Sequence, residues 1–120
     1  MAELHSQSLT GAYLFVITPG HTTTIETTCR LYPRTDITRL GIAPLTSMYT
    51  FGENDRSDHD DFRPEVHDSD GLMVIRADGE EMWRPLKNPQ TLALSYFQES
   101  SPRAFGLLQR DRDFSHYQDT

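Results

Sequence analysis

The feature that most constrains this chain is a two-residue rhythm of apolar and polar side chains. Residues 11–18 (GAYLFVIT) are aromatic and β-branched and stop at the turn dipeptide Pro19-Gly20. Residues 22–32 (TTTIETTCRLY) then alternate, with Ile25, Thr27, Cys29 and Leu31 on one face and Glu26, Thr28, Arg30 and Tyr32 on the other. Side chains of a strand point to opposite faces in turn, so the two runs predict a hairpin with one half-solvated face. Pro33 closes the second strand, because proline cannot donate to a central ladder. Further along, Asp36 to Leu40 predicts a helical turn capped by Thr35 or Asp36 and stopped by Gly41. A third strand is predicted over 45–51 and a long loop over 53–70. A second hairpin runs over 72–76 and 81–84 around Ala77-Asp78-Gly79, and strands follow at 91–97 and 104–109. No segment carries a helical period beyond two turns, so the predicted class is all-β. The chain stops at Tyr117-Gln118-Asp119-Thr120 without a closing strand or polar tail, which predicts a truncated sandwich.

A length of 120 residues allows one domain or part of one, and 36% apolar residues allow only a modest core. The longest apolar stretch, Ala12 to Ile17, is far short of the ~18 residues that a membrane span needs. The first twenty residues lack a basic segment, an apolar core and a small-residue cleavage site, so no secretory signal is visible. That places the chain in the cytosol, or places its start downstream of a signal. Cys29 is the single cysteine, which excludes an internal disulfide and a multi-cysteine metal site; a half-buried strand thiol is expected. The net charge of −7 argues against nucleic acid, whose phosphates reward clustered Lys and Arg.

The acids are unevenly placed. Glu53, Asp55, Asp58, Asp60, Asp61, Glu65, Asp68 and Asp70 fall within one stretch that only Arg56 and Arg63 oppose. If the chain is extended from Glu65, Glu65 and His67 share one side, and Val66, Asp68 and Asp70 the other. Three readings stay open on spacing alone. One is a glycosidase carboxylate, Asp68 or Asp70, activating water with help from His67, Ser69 or Arg63. Another is a metal site drawing on Asp58, His59, Asp60, Asp61, His67, Asp68 and Asp70, although the ligand order of a calcium loop and the i, i+4 histidines of zinc hydrolases are both missing. The third is a solvated acidic loop with Arg63 paired to Glu65 or a neighbour. Trp83, followed by Arg84 and Pro85, is the aromatic most suited to lie under a sugar ring, or equally to cover one end of a sandwich.

Four blocks carry a resemblance. They are APLTSM (43–48) leading to FGEN (51–54), FRPEVHDSDGL (62–72), WRPL (83–86) with Asn88-Pro89, and PRAFGLLQRDRDFSHYQD (102–119). In this order and spacing the chain resembles the periplasmic glucans biosynthesis proteins, the G and D members of the osmoregulated periplasmic glucan system, from about Leu9 to Thr120. The resemblance implies residues 1–120 as part of a large antiparallel β-sandwich of galactose-mutarotase-like (supersandwich) type, the later part of the family's N-terminal domain. It implies a periplasmic location and action on β-1,2-glucan, with some members inverting endo-β-1,2-glucanases. It implies Asp68, of the His-Asp-Ser motif, as the general base, with Glu65, His67, Asp70, Trp83 and Arg84 expected to bind substrate. The family's general acid lies in a Glu-Thr-x-Asp-Asn motif beyond Thr120, so this chain alone is expected to be inactive. A non-catalytic glucan-binding accessory module is the alternative, and a calcium-stabilised acidic interaction domain a more distant one. No cofactor and no resident metal are expected. Sheet edges left open by missing strands invite self-association.

Overall fold

The computed structural model describes residues 1–41, 43–56 and 58–118. They form two compact units, Met1–Ala43 and Pro44–Thr120. Both are built from antiparallel strands, as the alternation predicts. The helix α1 (Phe114–Tyr117) has four residues. Among the described residues no helix is long and apolar enough to cross a membrane.

The first unit is a three-stranded sheet in the order β1-β2-β3, with β1 at Ala2–His5, β2 at Leu9–Thr18 and β3 at Thr24–Pro33. The β2–β3 hairpin runs in unbroken register from Leu9↔Pro33 to Thr18↔Thr24, with the turn where Pro19-Gly20 places it. Its burial departs from expectation. Leu14, Phe15, Val16, Ile17 and Ile25 are exposed, and so is Cys29, which was expected to be half-buried. Alternation can bury one face only against a second layer, and none is present within this unit. The helical turn expected over Asp36–Leu40 does not form; the described residues there are bends and irregular chain.

The second unit holds a two-stranded ribbon, β4 (Tyr49–Phe51) with β5 (Val66–His67), and a sheet in the order β7-β6-β8. In that sheet β6 (Gly71–Ile75) is central, between β7 (Glu81–Pro85) and β8 (Ala104–Leu108). The β6–β7 turn is the Ala77-Asp78-Gly79 segment, where Gly79 N–H donates to the Arg76 carbonyl and Gly79 adopts φ 98°. Glycine meets no Cβ penalty in that conformation. The strand expected over 45–51 shortens to β4, and 91–97 forms none, because no neighbouring strand offers it a ladder. The two strands β1 and β5 and the helix α1 were not foreseen.

The core is small. Phe51, Val74 and Met82 are its buried apolar side chains, and Val74 and Met82 face each other across β6 and β7. Burying each contributes about 1.5–3 kcal/mol. The other face of the sheet carries Gly71, Met73 and Ile75 with Trp83 and Pro85. Its close contact is at Gly71, where a Cβ would stand 2.7 Å from one carbon of the Trp83 indole and 2.6 Å from the Arg84 carbonyl oxygen. Two carbons of the indole's six-membered ring therefore sit against bare backbone. Gly71→Ala should lower stability by about 1–3 kcal/mol through overpacking. It should also shift the fluorescence of the only tryptophan. An unchanged melting temperature and emission maximum would show that this contact is not tight.

Candidate functional site

The acidic stretch is an ordered loop held from within by its two arginines. Arg56 spends its guanidinium on carbonyls, donating to Arg63 O (3.1 Å), Pro64 O (2.7 Å) and Asp61 O (2.8 Å), and lies 5.1 Å over the Phe51 ring. Arg63 forks onto Asp61, through Nε to Oδ1 at 3.0 Å and Nη2 to Oδ2 at 2.7 Å. The Asp61 carboxyl is pulled down to about 2, chiefly by that side-chain hydrogen bond. The pairing expected for Arg63 is thus made to a neighbour, Asp61, and His59 packs against Phe51 at 5.1 Å. The loop leads the chain into β5, where alternation sorts the next residues: Glu65, His67 and Ser69 are buried and Asp68 is exposed.

At the centre is a buried pair. His67 Nε2 lies 2.7 Å from Glu65 Oε2, with the two side chains 1% and 6% exposed. Tyr49 stacks on the imidazole at 5.2 Å and Tyr117 meets it edge-on at 5.4 Å. The backbone presses close at Gly52, whose Cβ would come within 3.1 Å of His67 Cδ2 and 2.9 Å of the Tyr49 hydroxyl oxygen. Burial, and then the negative charges of Asp55, Asp70 and Glu65, push the Tyr49 phenol up, so it remains a donor, to Asn54 Oδ1 at 2.6 Å. Tyr117 is likewise raised, mainly by burial, and donates to the Asp111 carbonyl at 2.9 Å. Asp111 also holds His116 at 2.5 Å, and that hydrogen bond raises the imidazole above its ordinary value.

Asp70 departs from the predicted alternation because the chain turns there into β6. Its N–H donates to Leu108 O and its carbonyl accepts from Leu86 N–H, which ties it to the ends of β8 and β7. Its Oδ2 accepts from Arg110 N–H at 2.6 Å, and its Oδ1 lies 3.8 Å from His67 Nε2. One atom each of Glu65, His67 and Asp70 lies within 4.8 Å of the others, a spacing that suits a cation by distance alone. The imidazole argues otherwise. A cation at Nε2 displaces the proton shared with Glu65 and leaves the ring N–H at Nδ1, which is buried with no hydrogen-bond partner among the described residues. Metal-bound imidazoles have that second nitrogen hydrogen-bonded, so the donor set does not fit.

Asp68 sits differently. It donates its N–H to Met48 O (2.9 Å), while Met48 N–H donates to Asp68 Oδ2 (3.0 Å). The rest of its carboxylate faces solvent. Asp70 and Trp83 line one small cavity of about 80 Å³ with Glu53, Asn54, Pro85 and Arg110. Asp70 and Glu65 line an adjoining one of about 370 Å³ with Glu53, Arg110 and Asp111. Arg84 is not brought there. It lies on the opposite face of β7 from Trp83, its guanidinium 5.4 Å over Phe97. Of the six expected site residues the structure thus gathers Glu65, His67, Asp70 and Trp83 around one groove and leaves Asp68 and Arg84 at its outside. Glu53 and Arg110 were not singled out as site residues, since each sits in a charged run that reads first as a solvated loop or turn.

Comparison with known protein families matches residues 1–120 to "Periplasmic glucan biosynthesis protein, MdoG". The chain belongs to this family. Among curated relatives it is 61% identical over 118 residues to glucans biosynthesis protein G of Cereibacter sphaeroides, covering 98% of this chain and 22% of that protein. It is 53% identical to the protein of the same name from Rhodopseudomonas palustris, again over 98% of this chain and 24% of the relative. With that of Vibrio cholerae it shares 51% identity over 98% of this chain and 22% of the relative. The chain thus spans less than a quarter of the length of each of these relatives.

Proposed function

We propose that this MdoG-family segment supplies one wall of a glucan-handling cleft, in a protein that makes or trims β-1,2-glucan in the periplasm. The observation that carries the reading is the groove in which an indole packed close on Gly71 stands beside the anchored carboxylate of Asp70. Sugar sites pair an aromatic face for the ring with carboxylates for the hydroxyls. The reaction that fits the family likeness is inverting hydrolysis, in which Asp68 activates water while a carboxylic acid outside these residues protonates the leaving oxygen. Inverting pairs stand about 6.5–9.5 Å apart to admit that water. The Glu65 and Asp70 oxygens, within 4.8 Å, are too close to be the pair. Glu65 and His67 then serve as the buried support of the groove wall, and Asp70 and Trp83 as its substrate-facing groups.

A second reading, a glucan-binding accessory module without turnover, is favoured by one observation: Asp68 is engaged by Met48 N–H and lines neither cavity that Asp70 lines. Incubating the full-length protein with linear β-1,2-glucan separates the two. Shorter glucans released with inverted anomeric configuration are expected, binding without release supports the accessory module, and neither result removes both. Self-association through the open edges of β1 and β3 is a further expectation, read by sedimentation.

A further inference from the structure

Glu53 is the residue common to three adjoining cavities, of about 340, 370 and 80 Å³. It is exposed, and its carboxylate has no hydrogen-bond or ion-pair partner among the described residues. Arg110 lines two of the three cavities with it. The Arg110 backbone is fixed by the 2.6 Å hydrogen bond from its N–H to Asp70, yet its guanidinium is also unpartnered among the described residues. An arginine in a groove with Glu53, Glu65, Asp70 and Asp111 would ordinarily close an ion pair. Here a carboxylate and a guanidinium share a groove and leave their acceptors and donors open.

The groove's chemistry narrows what can fill it. An anion would meet four carboxylates. A cation would meet the Arg110 guanidinium. A neutral polyol meets no penalty, since each hydroxyl both donates to a carboxylate and accepts from a guanidinium. Next to the pair, the Trp83 indole lines the smallest cavity as its aromatic group. We infer that Glu53 and Arg110 read the hydroxyls of a glucose ring that stacks on Trp83, Glu53 as acceptor and Arg110 as donor. This rests on the glucan reading above and adds two residues to it.

The test is calorimetric binding of linear β-1,2-gluco-oligosaccharides to the full-length protein, with turnover measured alongside. Arg110→Ala and Trp83→Ala should each weaken binding about tenfold, and Glu53→Gln by somewhat less. The loss should appear in KM, with kcat changed far less, and with unaltered melting temperatures in the Glu53 and Arg110 variants. Trp83→Phe should retain most of the affinity, and it serves if Trp83→Ala fails to fold. Arg112→Ala, outside the groove, should bind as wild type. Wild-type affinity in both Glu53→Gln and Arg110→Ala overturns this inference while leaving the glucan reading intact. A wild-type protein that binds no β-1,2-glucan overturns both.

Discussion

Asp68→Asn in the full-length protein is expected to lower glucan cleavage by about 10²- to 10⁴-fold, the range that general acid–base catalysis contributes, with glucan affinity kept. The substitution is unusually clean here. Asp68 uses its backbone N–H and one carboxylate oxygen to clamp Met48, at 2.9 and 3.0 Å. An asparagine carbonyl oxygen can accept the same Met48 N–H, so the clamp onto the start of β4 survives. Only the capacity to take a proton from water is removed. Reducing-end release reads the loss, and a binding isotherm reads what is kept. Turnover equal to wild type would take Asp68 out of the mechanism. The carboxylate to try next is then Asp70, which stands in the groove with its Oδ2 already held by Arg110 N–H.

His67→Ala should be the most destabilising single change in this segment, by about 3–5 kcal/mol, the cost of breaking a buried pair from one side. It strands the Glu65 carboxylate, 6% exposed, without the nitrogen that faces it at 2.7 Å. It also removes the ring on which Tyr49 and Tyr117 pack, and opens a cavity against Gly52. Glu65→Gln should cost less, because a side-chain amide still hydrogen-bonds to the imidazole. Replacing both residues by leucine should recover part of the loss, since the stranded charge goes with its partner. Denaturant midpoints of the full-length protein measure the series. A His67→Ala protein within about 1 kcal/mol of wild type would mean that the pair is merely tolerated.

The strands were legible where local chemistry left one option. Pro19-Gly20 and the alternating run behind it specify the β2–β3 hairpin, and Ala77-Asp78-Gly79 specifies the turn between β6 and β7. Two misreadings are of segments whose state depends on a distant neighbour. Residues 91–97 carry strand-forming side chains but meet no ladder, and Leu92, Leu94 and Tyr96 stay exposed. In contrast, Val66–His67 forms β5 inside an acidic loop because Tyr49 and Phe51 lie opposite it. The short α1 had only its cap as a signal, Asp113 accepting from Ser115 N–H.

What the sequence by itself determined is the all-β class, the two hairpins, the family, and the stretch from Glu53 to Asp70 as the place where acids concentrate. Only the tertiary structure decided where each of those acids sits. Alternation along β5 turns Glu65 and His67 inward and Asp68 outward, and the entry into β6 swings Asp70 into a groove. The partners Asp70 finds there, Trp83 and Arg110, come from β7 and from just beyond β8, the latter 40 residues away. Such a meeting is set by which strands pair and in what register, a long-range choice that no local run of residues encodes.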